Sequence, residues 1–166
     1  TVRMSNGSTK PMAELLNGDR VLTSEGYQPV ETFFHRDPSV QGDFVRINNS
    51  ITLSSGHFVA VDSKDNFIPA SEVKVGEHVV IVDGVAVPVA SVETVVAKGI
   101  YAPVTESGTI VVDGVLASCY SNVESHEMAH CAVRTWVMFG NDLSRLNDAT
   151  GQMNPHVAKL AAAICL

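Results

Sequence analysis

Within the stretch CYSNVESHEMAHC, residues 119–131, His126, Glu127 and His130 fall in the pattern H-E-x-x-H. On a helix, positions four apart share a face, so both imidazoles could meet one zinc ion while the glutamate activates its bound water. That chemistry needs a third protein ligand. No glutamate follows Glu127, the segment CAVRTWV after His130 lacks the extended ligand spacing, and only His156 or Asp142 further along could be invoked. His126 and His130 therefore stand as the alternative metal pair of a zinc hydrolase; no metal or other cofactor is called for by the rest of the sequence.

Four further side chains could do chemistry. His57 ends the run SSGH between two apolar segments, with the Ser54 hydroxyl three residues before it. His35 lies in FFHRD beside Arg36 and Asp37, and Cys119 lies in LASCY. Read from the residues alone, each has a plain alternative: a half-buried histidine for His57, a turn hydroxyl for Ser54, a surface histidine for His35 and a buried inert thiol for Cys119. Cys131 and Cys165 read as helix-packing residues. Three cysteines are too few for a disulfide-scaffolded mini-domain.

These residues must be positioned by the elements around them. The 166 residues, 45% apolar, suffice for one well-buried domain. A net charge of -7 with no basic run makes a nucleic-acid surface unlikely as a reading of the chain. No apolar run approaches the roughly 18 to 20 residues of a membrane span. Up to about residue 123 the sequence consists of short β-branched runs and turn signals, among them DRVLT, DFVRI, HVVIV and GTIVV, with tight turns at Asp83-Gly84 and Asp113-Gly114. Beyond that the pattern is helical: residues 126–139 contain neither proline nor glycine, and Asn154-Pro155 opens a last segment rich in alanine and leucine.

An internal repeat organises the β part. MAELLNGDRVLTSEGYQPVETF, residues 12–33, matches ASEVKVGEHVVIVDGVAVPVASVETV, residues 70–95, and NSITLSSGHFVAV, residues 49–61, matches SGTIVVDGVLASCY, residues 107–120. The offset is about 58 residues in both cases. Two related halves, about 12–61 and 70–120, imply a pseudo-two-fold axis, a natural place for a site.

TVRMSNGSTKPMAELLNGDRVLT, ITLSSGHFVAV and above all GIYAPVTESGTIVVDGVLASCYSNVESHEMAH resemble the Hint module of hedgehog and hedgehog-related proteins, including the nematode warthog and groundhog types. The resemblance covers Thr1 to about Trp136. It implies an all-β, pseudo-two-fold symmetric horseshoe, shared with inteins, with a short C-terminal helical extension. It also implies self-cleavage: a cysteine attacks the preceding carbonyl, an N-to-S acyl shift gives a thioester, and an acceptor such as the cholesterol hydroxyl displaces it.

Carried over by position, His57 matches the histidine of the T-x-x-H motif. There it would polarise the scissile carbonyl or protonate the leaving nitrogen as a side chain titrating near neutrality. Ser54 stands at the threonine of that motif and keeps its hydroxyl. His35 falls where hedgehogs carry an aspartate that activates the sterol, which leaves water or another alcohol as alternative acceptors. Cys119 matches a cysteine near the active centre. The family nucleophile would lie about six residues before Thr1, and no cysteine precedes Cys119, so the given chain reads as a Hint module lacking its nucleophile.

The expectations are thus a Hint β module over 1–123 and a helical extension over 124–166 that corresponds to the family's sterol or lipid-recognition region. The partner is the protein's own N-terminal part as cis substrate, with a sterol or other small nucleophile as acceptor and membrane contact of the last helix left open. The resemblance implies passage through the secretory pathway to the cell exterior, and a role in developmental cell-cell signalling. A non-catalytic β module that binds lipid or a partner is the remaining alternative.

Overall fold

The computed structural model describes residues 1–80, 85–121 and 125–140, with residues 79 and 80 described by their backbone only. The 141–166 segment, the Asp83-Gly84 turn, Cys165, His156 and the expected last helix lie outside the described residues. Among the described residues the fold is mostly β with one short α-helix, as the alternation of β-branched runs and turn residues predicts.

The repeat is visible in backbone detail. In the first half, Pro11 leads a 3-10 turn at Met12–Glu14 into a hairpin of β3 (Arg20–Thr23) and β4 (Gly26–Pro29). In the second half, Pro69 leads a 3-10 turn at Ala70–Glu72 into β9 (His78–Val80) and β10 (Ala86–Pro88). The two prolines have φ of -59° and -57°, the value that their rings impose, and so set the entry to each turn. Gly18 donates to the Val30 carbonyl and Gly76 to the Val89 carbonyl, each at 2.8 Å. Both glycines have positive φ, +88° and +94°, which a side chain would strain.

Between the hairpins run two long strands, β5 (Thr32–Ile47) and β11 (Val92–Val104), paired antiparallel from Val92 opposite Ile47 to Val104 opposite Thr32. β5 is followed by β6 (Ile51–Ser54), which pairs back onto it, and then by β7 (His57–Ala60), which leaves for another sheet; β11 is followed by a hairpin of β12 (Thr109–Val112) and β13 (Val115–Ser121). A six-stranded sheet runs in the order β2-β1-β12-β13-β7-β8, where β1 is Val2–Arg3, β2 Thr9–Lys10 and β8 Phe67–Pro69. The sheet therefore joins β7 of one half to β13 of the other.

The cores interlock in the same way. Leu15, Val21 and Val30 of the first hairpin pack with Ile110 and Cys119 of the second half, whereas Val73 and Val89 pack with Val45, Ile51 and Val59 of the first half. Each half buries its partner's apolar face. With Leu15, Val21 and Val59 fully enclosed, separation would expose side chains worth about 1.5–3 kcal/mol each.

The helix α1 spans His126–Met138, one residue short of the expected 126–139. Ser125 caps it, its hydroxyl accepting from the Met128 amide at 3.1 Å, and Glu127 sits favourably in the first turn. Ala129 and Val133 pack with Phe34, Val104 and Tyr120, with Trp136 against the same cluster. Cys131 departs from the expectation of a simple packing thiol: it is disulfide-bonded, so its sulfur is tied covalently and only half-buried on the helix.

Candidate functional site

The pseudo-two-fold arrangement leaves a cavity of about 240 Å³ where β6 and β7 face β12 and β13. Its lining includes Thr1, Ser54, His57, Asp113, Ser118 and Cys119, with Leu53, Ile100 and Ile110 supplying apolar wall. Residues from four separate stretches of sequence thus converge on one space.

Ser54 ends β6 and His57 opens β7, so the two-residue turn between them folds one side chain back over the other. The Ser54 Oγ lies 2.7 Å from His57 Nδ1, which fixes the imidazole orientation and leaves Nε2 for a second partner. Burial, and then the neighbouring His35 imidazole, push the His57 pKa down to about 4. Desolvation of this half-buried ring thus favours its uncharged form over the near-neutral titration of an ordinary imidazole. A neutral imidazole can accept a proton before it returns one.

His35 lies on β5 opposite Ala102, half-buried, close enough to His57 to affect its charge. It does not line the cavity itself.

Cys119 is 2% exposed on β13. Its amide donates to the Gly108 carbonyl at 2.8 Å, and its thiol lies 3.7 Å from the Thr105 hydroxyl. Desolvation pushes the thiol up to about 11 against the opposing hydrogen bonds with Thr105, which favours the protonated, weakly nucleophilic form. Thr105 is also buried, and its hydroxyl donates to the Thr109 carbonyl at 2.7 Å. Ser107 and Ser24 extend this hydroxyl cluster through Thr109 Oγ1, each at 2.9 Å. Sequence reasoning passed over Thr105, Ser107 and Thr109; the density of hydroxyl residues in the apolar VTESGTIVV was the signal.

At the mouth, Asp113 binds the start of the chain. Its Oδ1 accepts from the Thr1 hydroxyl at 2.8 Å, and its amide donates to the Thr1 carbonyl at 2.8 Å. Asp113 holds φ +47° and Gly114 φ +83°, the left-handed pair of a tight hairpin turn, as the Asp-Gly dipeptide predicts. Thr1 is thereby held beside the space that Ser54, His57 and Cys119 enclose.

The two histidines of H-E-x-x-H lie elsewhere. His126 Nδ1 is 2.9 Å from Ser118 Oγ with its ring stacked on Phe67, and His130 Nδ1 is 3.0 Å from the Tyr120 hydroxyl. Their own rings stack with centroids 5.9 Å apart. Burial lowers both pKa values, which keeps them neutral in these contacts. Among the described residues, no group of three side chains suited to a metal ion comes together.

The family model of the Hint module matches residues 1–161. The zebrafish (Danio rerio) Tiggy-winkle hedgehog protein is 35% identical over 152 residues, which are 80% of this chain and 36% of that protein. The chain thus spans little more than a third of the curated relative it matches. Among solved structures, the gp41-1 intein superposes with a TM-score of 0.57 at 15% identity, over 70% of this chain and 91% of its own. A bacterial intein-like domain from Clostridium thermocellum superposes at 0.58 and 18% identity, over 70% and 92%. At such identities the structural matches speak for the fold.

Proposed function

The chain belongs to the Hint-module family, and on that premise we propose that it is a self-processing module that cuts its own precursor just upstream of Thr1 and passes the released part to an acceptor. The observation that carries this reading is the convergence of Thr1 with the Ser54–His57 pair on one cavity. A peptide preceding Thr1 would begin beside the cavity that the imidazole also lines.

The chemistry follows from the protonation states. The resemblance to hedgehog modules implies a cysteine preceding Thr1 as the nucleophile, and the burial of Cys119, which pushes its thiol up to about 11, supports assigning the role there rather than to that thiol. Neutral His57 takes the proton of that thiol as its sulfur attacks the preceding carbonyl. The imidazolium then gives the proton to the cysteine nitrogen as the C–N bond breaks. A C–S bond replaces the peptide bond, and the ring is neutral again. Ser54 keeps the ring aimed, while the apolar wall limits water and so protects the thioester from hydrolysis. In the second step an acceptor hydroxyl attacks the thioester, the thiolate leaves and His35 takes the acceptor's proton, a role supported by its effect on His57 from just outside the cavity lining.

The acceptor is a sterol or another small alcohol, recognised by residues 124–166, and the site of action is the secretory pathway. The hedgehog relative supports this location, and the disulfide at Cys131 suits an oxidising compartment.

The test is to extend the chain upstream by its natural preceding residues, add dithiothreitol or hydroxylamine, and weigh the products. Two fragments that survive a chelator and vanish in His57→Ala support the reading. Cleavage that the chelator abolishes would point instead to zinc chemistry at His126 and His130. No cleavage of the wild-type extended chain would leave a binding module. Running the reaction with and without sterol, and weighing the N-terminal product, identifies the acceptor.

A further inference from the structure

His126, His130 and Arg134 stand four residues apart along α1, so they form one polar stripe within about a quarter-turn of each other on the helix surface. A polar stripe turned toward the core is unusual unless each member is partnered there. Here each member meets the protein around Cys119. His126 reaches Ser118 Oγ, the residue before it, and His130 reaches the hydroxyl of Tyr120, the residue after it. Arg134 donates through Nη2 to Glu31 at 2.7 Å and to the Thr105 carbonyl at 3.4 Å, and the Thr105 hydroxyl contacts the Cys119 thiol. Ser118 and Cys119 are themselves wall of the reaction cavity.

We propose that the His126–His130–Arg134 stripe is a positioning device, through which docking of α1 holds the Ser118–Cys119 wall of the reaction cavity in its working shape. The proposal rests on the self-processing reading for its link to chemistry, though not for its structural part. The stripe lies on the element that joins the β body to the chain beyond, so whatever engages that chain can act on the cavity through it. None of the three side chains touches the reacting atoms; they act through Ser118, Thr105 and Cys119. The H-E-x-x-H spacing is then explained by a helix presenting two imidazoles to alternate residues of one strand, since Ser118 and Tyr120 are two apart.

The structural part is tested on residues 1–166 without reducing agent. Cys119 is the free thiol among the described residues, and Trp136, the single tryptophan, packs on the cluster beneath α1 and reports docking by its emission. Arg134→Met and the His126→Ala/His130→Ala pair should raise the rate of Cys119 alkylation at least about tenfold, with a red shift of Trp136, while far-ultraviolet circular dichroism keeps its β signal. His126→Asn and His130→Asn, which place an amide where Nδ1 lies, and the exchange Glu31→Arg with Arg134→Glu, should restore slow labelling. If labelling stays slow although Trp136 shows α1 undocked, the proposal fails. If Arg134→Met does not fold, the milder Arg134→Lys and Tyr120→Phe give the same reading on a smaller scale, and wild-type rates in both would overturn it.

The functional part uses the upstream-extended chain. Cleavage should slow in step with Cys119 exposure across these variants and recover in the asparagine and exchange variants. Unchanged cleavage in variants with an exposed Cys119 would sink the link to chemistry. Absence of cleavage in the wild type would count against the self-processing reading alone, since the labelling result is independent of it.

Discussion

Ser54 Oγ and His57 Nδ1 are 2.7 Å apart across the turn between β6 and β7. The bond does two things at once: it fixes the ring's rotation, and it occupies Nδ1 so that Nε2 is left for another partner. Removing the imidazole should slow thiol-induced cleavage of the upstream-extended chain by about 10²-fold or more, the usual worth of a positioned general base. Ser54→Ala should cost less, about tenfold, because the ring survives and only its aim is lost; Ser54→Thr should retain most activity. Rates come from fragment masses over time, and equal rates for wild type and His57→Ala would remove the imidazole from the mechanism.

The low pKa of His57 sets the acid side of the pH profile. An imidazole with an ordinary value would fall out of its neutral form near pH 6.5, but here the loss should come near pH 4. Stability follows the same group with a defined sign. The unfolded ring takes up its proton first as pH falls, so the folded state is at full stability above about pH 6.5, loses it progressively toward pH 4, and changes little below that on this account. The shift bounds the loss at roughly 3 kcal/mol. Urea midpoints at pH 7, 5.5 and 4 for wild type and His57→Gln test this: the variant should show the shallower fall, and parallel curves would mean the ring is not desolvated.

Cys119 shares the cavity with His57 but carries a thiol pushed up to about 11 by burial. Replacing it by alanine should therefore leave thioester formation in the extended chain within about threefold of wild type, because no ionised sulfur is lost. A drop of about 10²-fold or more would make the thiol a participant. The Cys119→Ala chain must be shown to remain folded, since the side chain packs with Val21 and Ile110.

Much of this site was legible in the sequence, and what was missed has physical reasons. The 58-residue offset is realised in the paired proline-led turns and in the matching Gly18 and Gly76 hydrogen bonds. That is because turn residues with demanding backbone angles leave a strong local signature. The extent of β5 was not legible: Asp37-Pro38 and Gly42 look like strand breaks, yet pairing with β11 continues on both sides, through Gly42 itself and past an unpaired irregularity at residues 38–40 opposite Gly99. Long-range pairing overrides local propensity there. The His57 charge state could not be read from residue type at all, because burial and the nearby His35 come from segments distant in sequence. The same holds for H-E-x-x-H, where helical spacing was plain but the partners Ser118, Tyr120 and Phe67 were not.

Gly108 offers the sharpest test of how tightly α1 is seated. Its φ is +68°, and a Cβ there would lie 2.6 Å from His130 Nδ1 and 2.8 Å from Tyr120 Cε2. Its amide donates to the Thr105 carbonyl and its carbonyl accepts from Cys119, so the backbone cannot slide away without breaking bonds next to the cavity. Gly7 provides a control, with φ +85° and open space around a would-be Cβ. Gly7→Ala should cost about 1 kcal/mol, the strain of the left-handed conformation alone. Gly108→Ala should cost about 2–4 kcal/mol, because collision with two ring systems adds to the same strain. Urea denaturation measures both, and a Gly108→Ala chain no less stable than Gly7→Ala would mean that His130 and Tyr120 are free to give way and that the helix is loosely held.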